Sequence, residues 1–220
     1  IMLSNDERQL HAETIRSRIQ ELMTDLNVRF PVYFLVTKCD LMAGFNEFFE
    51  SLDQRDREQV WGLTFPMNDD RDSKQEYSRY FESEFDVLLR RINDRLLTRL
   101  HAERDPYRRA KIQAFPNQFE SMRDILKTFV DDVFGQNQYQ NQALLRGVYF
   151  TSGTQEGTPI DRILTSLSTN FGVQGKSVAA PNGQGKSFFI HRLLNDVIFP
   201  ESDIVGVDTK YELRLKYFRR

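Results

Sequence analysis

The chain has 220 residues, 40% hydrophobic and 28% charged, which is enough apolar matter for a sizeable core in about one large domain. Its 18 Phe and 8 Tyr exclude an intrinsically disordered chain, and 30 Lys plus Arg against 32 Asp plus Glu leave no basic excess for general nucleic-acid binding. A single cysteine, Cys39, excludes an internal disulfide, and with three histidines no ligand cluster has the spacing of a structural zinc site. No run approaches eighteen apolar residues, and residues 1–6 lack the basic and apolar regions of a signal peptide. The expectation is a soluble, intracellular α/β or α+β domain.

Ser4-Asn5-Asp6-Glu7 has the form of a capping box, and Ile15, Ile19, Leu22 and Leu26 recur at helical spacing, so the chain opens with a helix. Residues 32–36, Val-Tyr-Phe-Leu-Val, read as a strand buried on both faces. Phe45, Phe48, Phe49 and Leu52 mark a second helix, and residues 60–66 a short strand ending at Pro66. Residues 67–73 are a polar loop. Tyr77, Phe81, Phe85, Leu88, Ile92 and Leu96 step by three and four through a long helix over about 73–101. The alternation of Ala110, Ile112 and Ala114 ahead of Pro116 predicts a short strand, and Phe115, Phe119, Met122, Leu126, Phe129 and Val133 a further helix. An amide-rich linker follows Gly135. Residues 147–151 form a second buried strand, Ile160, Ile163, Leu164 and Leu167 a helix, residues 171–185 a linker, and residues 188–198 a last helix stopped by Pro200.

The sharpest chemical signal is Thr37-Lys38-Cys39-Asp40 directly after a strand. It has the [Asn/Thr]-Lys-x-Asp form of a guanine-recognition element: the carboxylate accepts from N1–H and N2–H of the base while the lysine stem lies along it. Open α/β sheets place ligands beyond the carboxyl ends of their strands, so the location fits. Ser152 and Gly153, ending the second strand, stand where such folds turn a backbone N–H toward the guanine oxygen, although a plain strand-to-helix turn reads equally well. Ala180-Pro181-Asn182-Gly183-Gln184-Gly185-Lys186-Ser187 fits a relaxed phosphate-loop pattern, but no buried strand precedes it and it follows the guanine-type motif, so it reads as linker. His11, His101 and His191 are each isolated on a predicted helix, and no nucleophile, base and orienter form an array.

Residues 36–41, Val-Thr-Lys-Cys-Asp-Leu, leading to Gly44-Phe45-x-x-Phe48-Phe49, resemble the IcmF/TssM family. So do Gln59-Val60-Trp61-Gly62-x-Thr64-Phe65-Pro66, the string Leu-Arg-Gly-Val-Tyr-Phe-Thr-Ser-Gly-Thr-Gln-Glu-Gly-Thr-Pro-Ile-Asp at 145–161, and Phe199-Pro200-Glu201. The resemblance implies the cytoplasmic part of an inner-membrane subunit of the bacterial type VI secretion system. The expected fold is α/β, a partial P-loop NTPase-like (GTPase-like) parallel sheet with a mainly helical extension. Thr37, Lys38 and Asp40 would carry the guanine-type motif, with Ser152 and Gly153 beside it. A phosphate loop would lie upstream of Ile1, so GTP or ATP would be used only by the full-length protein. The implied function is docking to other membrane-complex subunits and to baseplate proteins, with membrane anchorage outside this stretch. The alternative is a GTP-hydrolysing switch.

In this reading residues 1–171 are the C-terminal portion of the NTPase-like domain with a helical insertion at about 67–142, 172–186 a linker, and 187–220 a helical extension. Residues 210–220, five basic and one acidic with Tyr211, Tyr217 and Phe218 interleaved, are expected to be a juxtamembrane connector.

Overall fold

The computed structural model describes residues 4–66, 74–135, 144–153, 187–201 and 206–207. Helix α1 (Asn5–Leu26) starts at a complete capping box: Ser4 Oγ accepts from the Glu7 amide while the Glu7 carboxylate accepts from the Ser4 amide. The short strand β1 (Val28–Arg29) and β2 (Pro31–Val36) follow, then α2 (Phe45–Phe49), α3 (Gln54–Glu58) and β3 (Gly62–Thr64). Three helices come next, α4 (Lys74–Ala102), α5 (Pro106–Glu120) and α6 (Arg123–Phe134), and then β4 (Leu144–Phe150). A π-type helix (Leu193–Ile198) and β5 (Gly206–Val207), antiparallel to β1, complete the described elements.

The main sheet has the order β2-β4-β3. β2 and β4 are parallel, with Phe34 beside Val148 and Val36 beside Phe150, which bears out the expectation of two parallel strands near 32–36 and 147–151. β3 runs antiparallel to β4, however, so the sheet is mixed rather than parallel. A P-loop NTPase-like relationship therefore does not follow from these strands. The central place belongs to β4, whose Leu145, Val148, Tyr149 and Phe150 are fully enclosed. β2 is flanked on one side only among the described residues, and its Leu35 is exposed. The all-apolar run at 32–36 thus reflects β strand preference, not burial on both faces.

One face of the sheet carries the core. Phe85, Phe119 and Phe150 pack together, with Phe85 and Phe119 stacked 4.7 Å apart and nearly parallel, and Phe34 stacks on Phe129 of α6. On β4, Tyr149 lies flat against two glycines: a Cβ on Gly147 would come within 2.5 Å of its ring.

Three expectations are corrected. Residues 110–115 are helix, not strand, because Asp105 accepts from the Tyr107 amide as N-cap and Pro106 takes the first helical position. Ile112, Phe115 and Phe119 then form the buried face at helical spacing, and Pro116 is accommodated inside the helix. The single helix expected through 115–133 is two, broken at Ser121 and Met122. The last helix begins at His191, not Phe188, since Phe188 makes an antiparallel bridge with Ser152 and Phe189 has φ +63°.

The apolar stripe of α1 also behaves unexpectedly. Of its four residues Ile19 packs against the core, but Ile15, Leu22 and Leu26 are exposed, and the helix buries Ala12 and Met23 instead. Arg16 fixes α1 to α6 by donating from Nε to the Val133 carbonyl at 3.2 Å, satisfying a carbonyl at the end of that helix. The helix expected at 160–167, the linker 172–186, all of the phosphate-loop candidate 180–187 but Ser187, and the connector 210–220 lie outside the described residues.

Candidate functional site at the strand ends

Thr37, Lys38, Asp40, Ser152 and Gly153 come together because β2 and β4 are parallel neighbours whose carboxyl ends stop level. The pairing continues past the strands: the Thr151 amide donates to the Val36 carbonyl at 2.8 Å and the Cys39 amide to the Thr151 carbonyl at 3.2 Å. Lys38 sits in the left-handed region at φ +59°, which turns the chain into a 3-10 turn over Cys39–Leu41. This left-handed turn lets Cys39 point inward while Thr37 and Lys38 remain exposed.

Across the two ends, the Ser152 hydroxyl donates to Asp40 Oδ1 and also approaches the Gly153 carbonyl at 3.2 Å. The Asp40 carbonyl accepts from Asn46 Nδ2 at 3.3 Å, fastening the motif to the start of α2. Ser152 is held in turn by two backbone bonds with Phe188, of 3.0 and 2.7 Å. Burial pushes the Cys39 thiol up to about 12, so it is neutral and donates to the Val36 carbonyl at 3.3 Å. Lys38 makes no ion pair among the described residues. The residues therefore form a closed seam between two strands and the segment beginning at Phe188. Among the described residues no group of three or more His, Cys, Asp and Glu could hold a metal ion.

The seam predicts a stability effect. Asp40→Asn replaces a charge-assisted acceptor of the Ser152 hydroxyl by an amide, and is expected to lower unfolding free energy by about 1–2 kcal/mol. Urea denaturation with an unchanged m-value checks it, and an unchanged midpoint would show that the seam does not depend on the carboxylate.

Sequence reasoning missed a second cluster on β4. Arg146 stands at an irregularity in the register between Val32 and Tyr33 of β2 and their partners. It pairs with Glu201 at 2.5 Å, both side chains being largely buried, and also donates to the Phe65 carbonyl. Tyr33 donates to the other carboxylate oxygen at 2.5 Å, and burial together with that carboxylate raises its phenol above the ordinary tyrosine range. No local signal marks this cluster, because its members are 55 and 168 residues apart. Within the helices, Glu47 pairs with Lys111, and Arg99 donates to the Phe48 and Glu47 carbonyls at the end of α2.

No helix among the described residues is long and apolar enough to cross a membrane. The family model described as the IcmF-related N-terminal domain matches residues 1–220. The chain is 46% identical over 218 residues to the type VI secretion system component TssM1 of Pseudomonas aeruginosa, covering 99% of this chain and 20% of that protein. No solved structure matches at a significant level.

Proposed function

The chain belongs to the IcmF-related family, and from that premise we propose that it is a docking portion of a type VI secretion subunit. In this reading it joins the membrane channel to partner subunits and baseplate proteins from the cytoplasmic face of the inner membrane, its anchors lying elsewhere in the full-length protein. The likeness to TssM1, running through nearly the whole chain, carries the assignment to secretion. The docking role is supported by the guanine-type residues, whose carboxylate is occupied by Ser152. A group that closes a strand seam serves the fold without any base to bind.

A second reading, a GTP- or ATP-hydrolysing switch whose phosphate-binding half lies elsewhere in the full-length protein, is favoured by one observation. Thr37, Lys38 and Asp40 do meet Ser152 and Gly153 at adjacent strand ends, the position where α/β folds take ligands. The two readings share one expectation for this chain and differ in another for the full-length protein. Calorimetry of this chain with GTP should give nothing tighter than about 1 mM, or about −4 kcal/mol, since base contacts alone supply few hydrogen bonds. In the full-length protein, Lys38→Ala at this exposed position should leave effector secretion at the wild-type level. Loss of secretion with normal protein abundance would favour the switch.

A further inference from the structure

We propose that the end of the α4–α5 hairpin is a docking surface for a protein partner presenting an acidic, carboxylate-rich face; this rests on the docking reading above and assigns it a place. Between residues 90 and 111 stand eight basic residues against three acidic ones, in a chain whose net charge is −2. Seven of the eight are arginines.

The fold uses only some of them. Arg99 holds the end of α2, Arg108 pairs with Glu103 and Glu50, and Lys111 with Glu47. Arg90, Arg91, Arg95, Arg104 and Arg109 are exposed and make no ion pair among the described residues. Arg91, Arg95 and Arg99 follow one another at i, i+4 along α4, a spacing at which like charges repel. Arg91 and Arg95 have no ion pair among the described residues to offset that repulsion, and an acidic partner would relieve it.

Two apolar side chains accompany the arginines. Leu97 is 67% exposed and Tyr107 57%, the latter with the Lys111 ammonium 5.0 Å above its ring. Arginine and tyrosine on rigid helices are the residue types that dominate protein interfaces, and the planar guanidinium matches a carboxylate with two parallel bonds. A diffuse anionic lipid surface makes no demand for arginine over lysine. The composition therefore favours a protein face.

The test places a photo-crosslinking amino acid at Thr98, exposed on α4, and as a control at Glu13, exposed on α1, in the full-length protein in secreting cells. The expected result is a Thr98 adduct whose crosslinked peptide is rich in Asp and Glu. It should fall at least tenfold with Arg91→Glu/Arg95→Glu, or several-fold with the milder Arg91→Gln/Arg95→Gln pair, and return when acidic residues of that peptide are changed to Lys. Adducts with phospholipid alone, or an adduct indifferent to both pairs, would overturn the proposal. So would adducts to secretion subunits from Glu13 but none from Thr98, an outcome that leaves the docking reading standing. Absence of any secretion-subunit adduct from either position would overturn both.

Discussion

Phe45→Ala is expected to lower unfolding free energy by about 3–5 kcal/mol, a large share of the roughly 5–15 kcal/mol typical of a domain. Phe45 is completely buried, with ring centroids of Phe49 at 4.8 Å, Phe188 at 5.4 Å, and Trp61 and Phe115 at 6.0 Å. Its backbone cannot shift to close the gap. Gly44 before it adopts φ +85°, and a Cβ there would stand 2.4 Å from the Lys111 carbonyl, so the α2 entrance is wedged against α5. The cavity should therefore remain open, which is the condition for the high end of the range. Urea midpoints at constant m-value measure it, with Ile15→Ala on the exposed side of α1 as a control expected within about 0.5 kcal/mol. A Phe45→Ala loss near the control would show that the ring cluster does not bear on stability.

Glu201→Ala is expected to cost about 3 kcal/mol, because it strands a largely buried guanidinium and leaves the Tyr33 hydroxyl without its acceptor. Arg146 already has a buried Nε without a hydrogen-bond partner, so it has little capacity to compensate. The double variant Arg146→Met/Glu201→Leu removes both charges together and should recover a substantial part of the loss. That recovery separates an uncompensated charge from simple loss of packing. If the double variant is as unstable as the single one, the pair contributes by shape rather than by charge. Hydrogen exchange adds a local readout: the amides of Gly206 and Val207, paired with β1, should lose protection with Glu201→Ala.

The legible parts of the fold were the local ones. The capping box at Ser4 and Glu7 predicted the start of α1, and the aromatic steps from Tyr77 to Leu96 predicted α4 to within a residue or so of its bounds. The two parallel strands could also be anticipated, since residues 32–36 and 147–151 carry their apolar, β-branched and aromatic composition in a short run. Residues 110–115 misled because alternation over five positions cannot outweigh a helix start: Asp105-Pro106 caps α5. In α1 the periodic residues Ile15, Leu22 and Leu26 gave the element but not its buried face, since Ala12 and Arg16 make the contact with α6 possible.

The candidate site divides the same way. Thr37, Lys38 and Asp40 were found by their spacing after a strand, and Ser152 and Gly153 by their place after another. Nothing in either stretch says that the Asp40 carboxylate faces the Ser152 hydroxyl 112 residues away rather than a ligand.

By itself the sequence determined the start of α1, the course of α4, the two parallel strands and the resemblance to the family, because capping, periodicity and strand propensity act over a few residues. Only the tertiary structure decided that β3 runs antiparallel, that β4 rather than β2 holds the centre of the sheet, and that Arg146, Glu201 and Tyr33 meet. Those outcomes depend on which distant surfaces close over one another. Burial and electrostatic pairing reward that closure, but the order of residues along the chain does not record it.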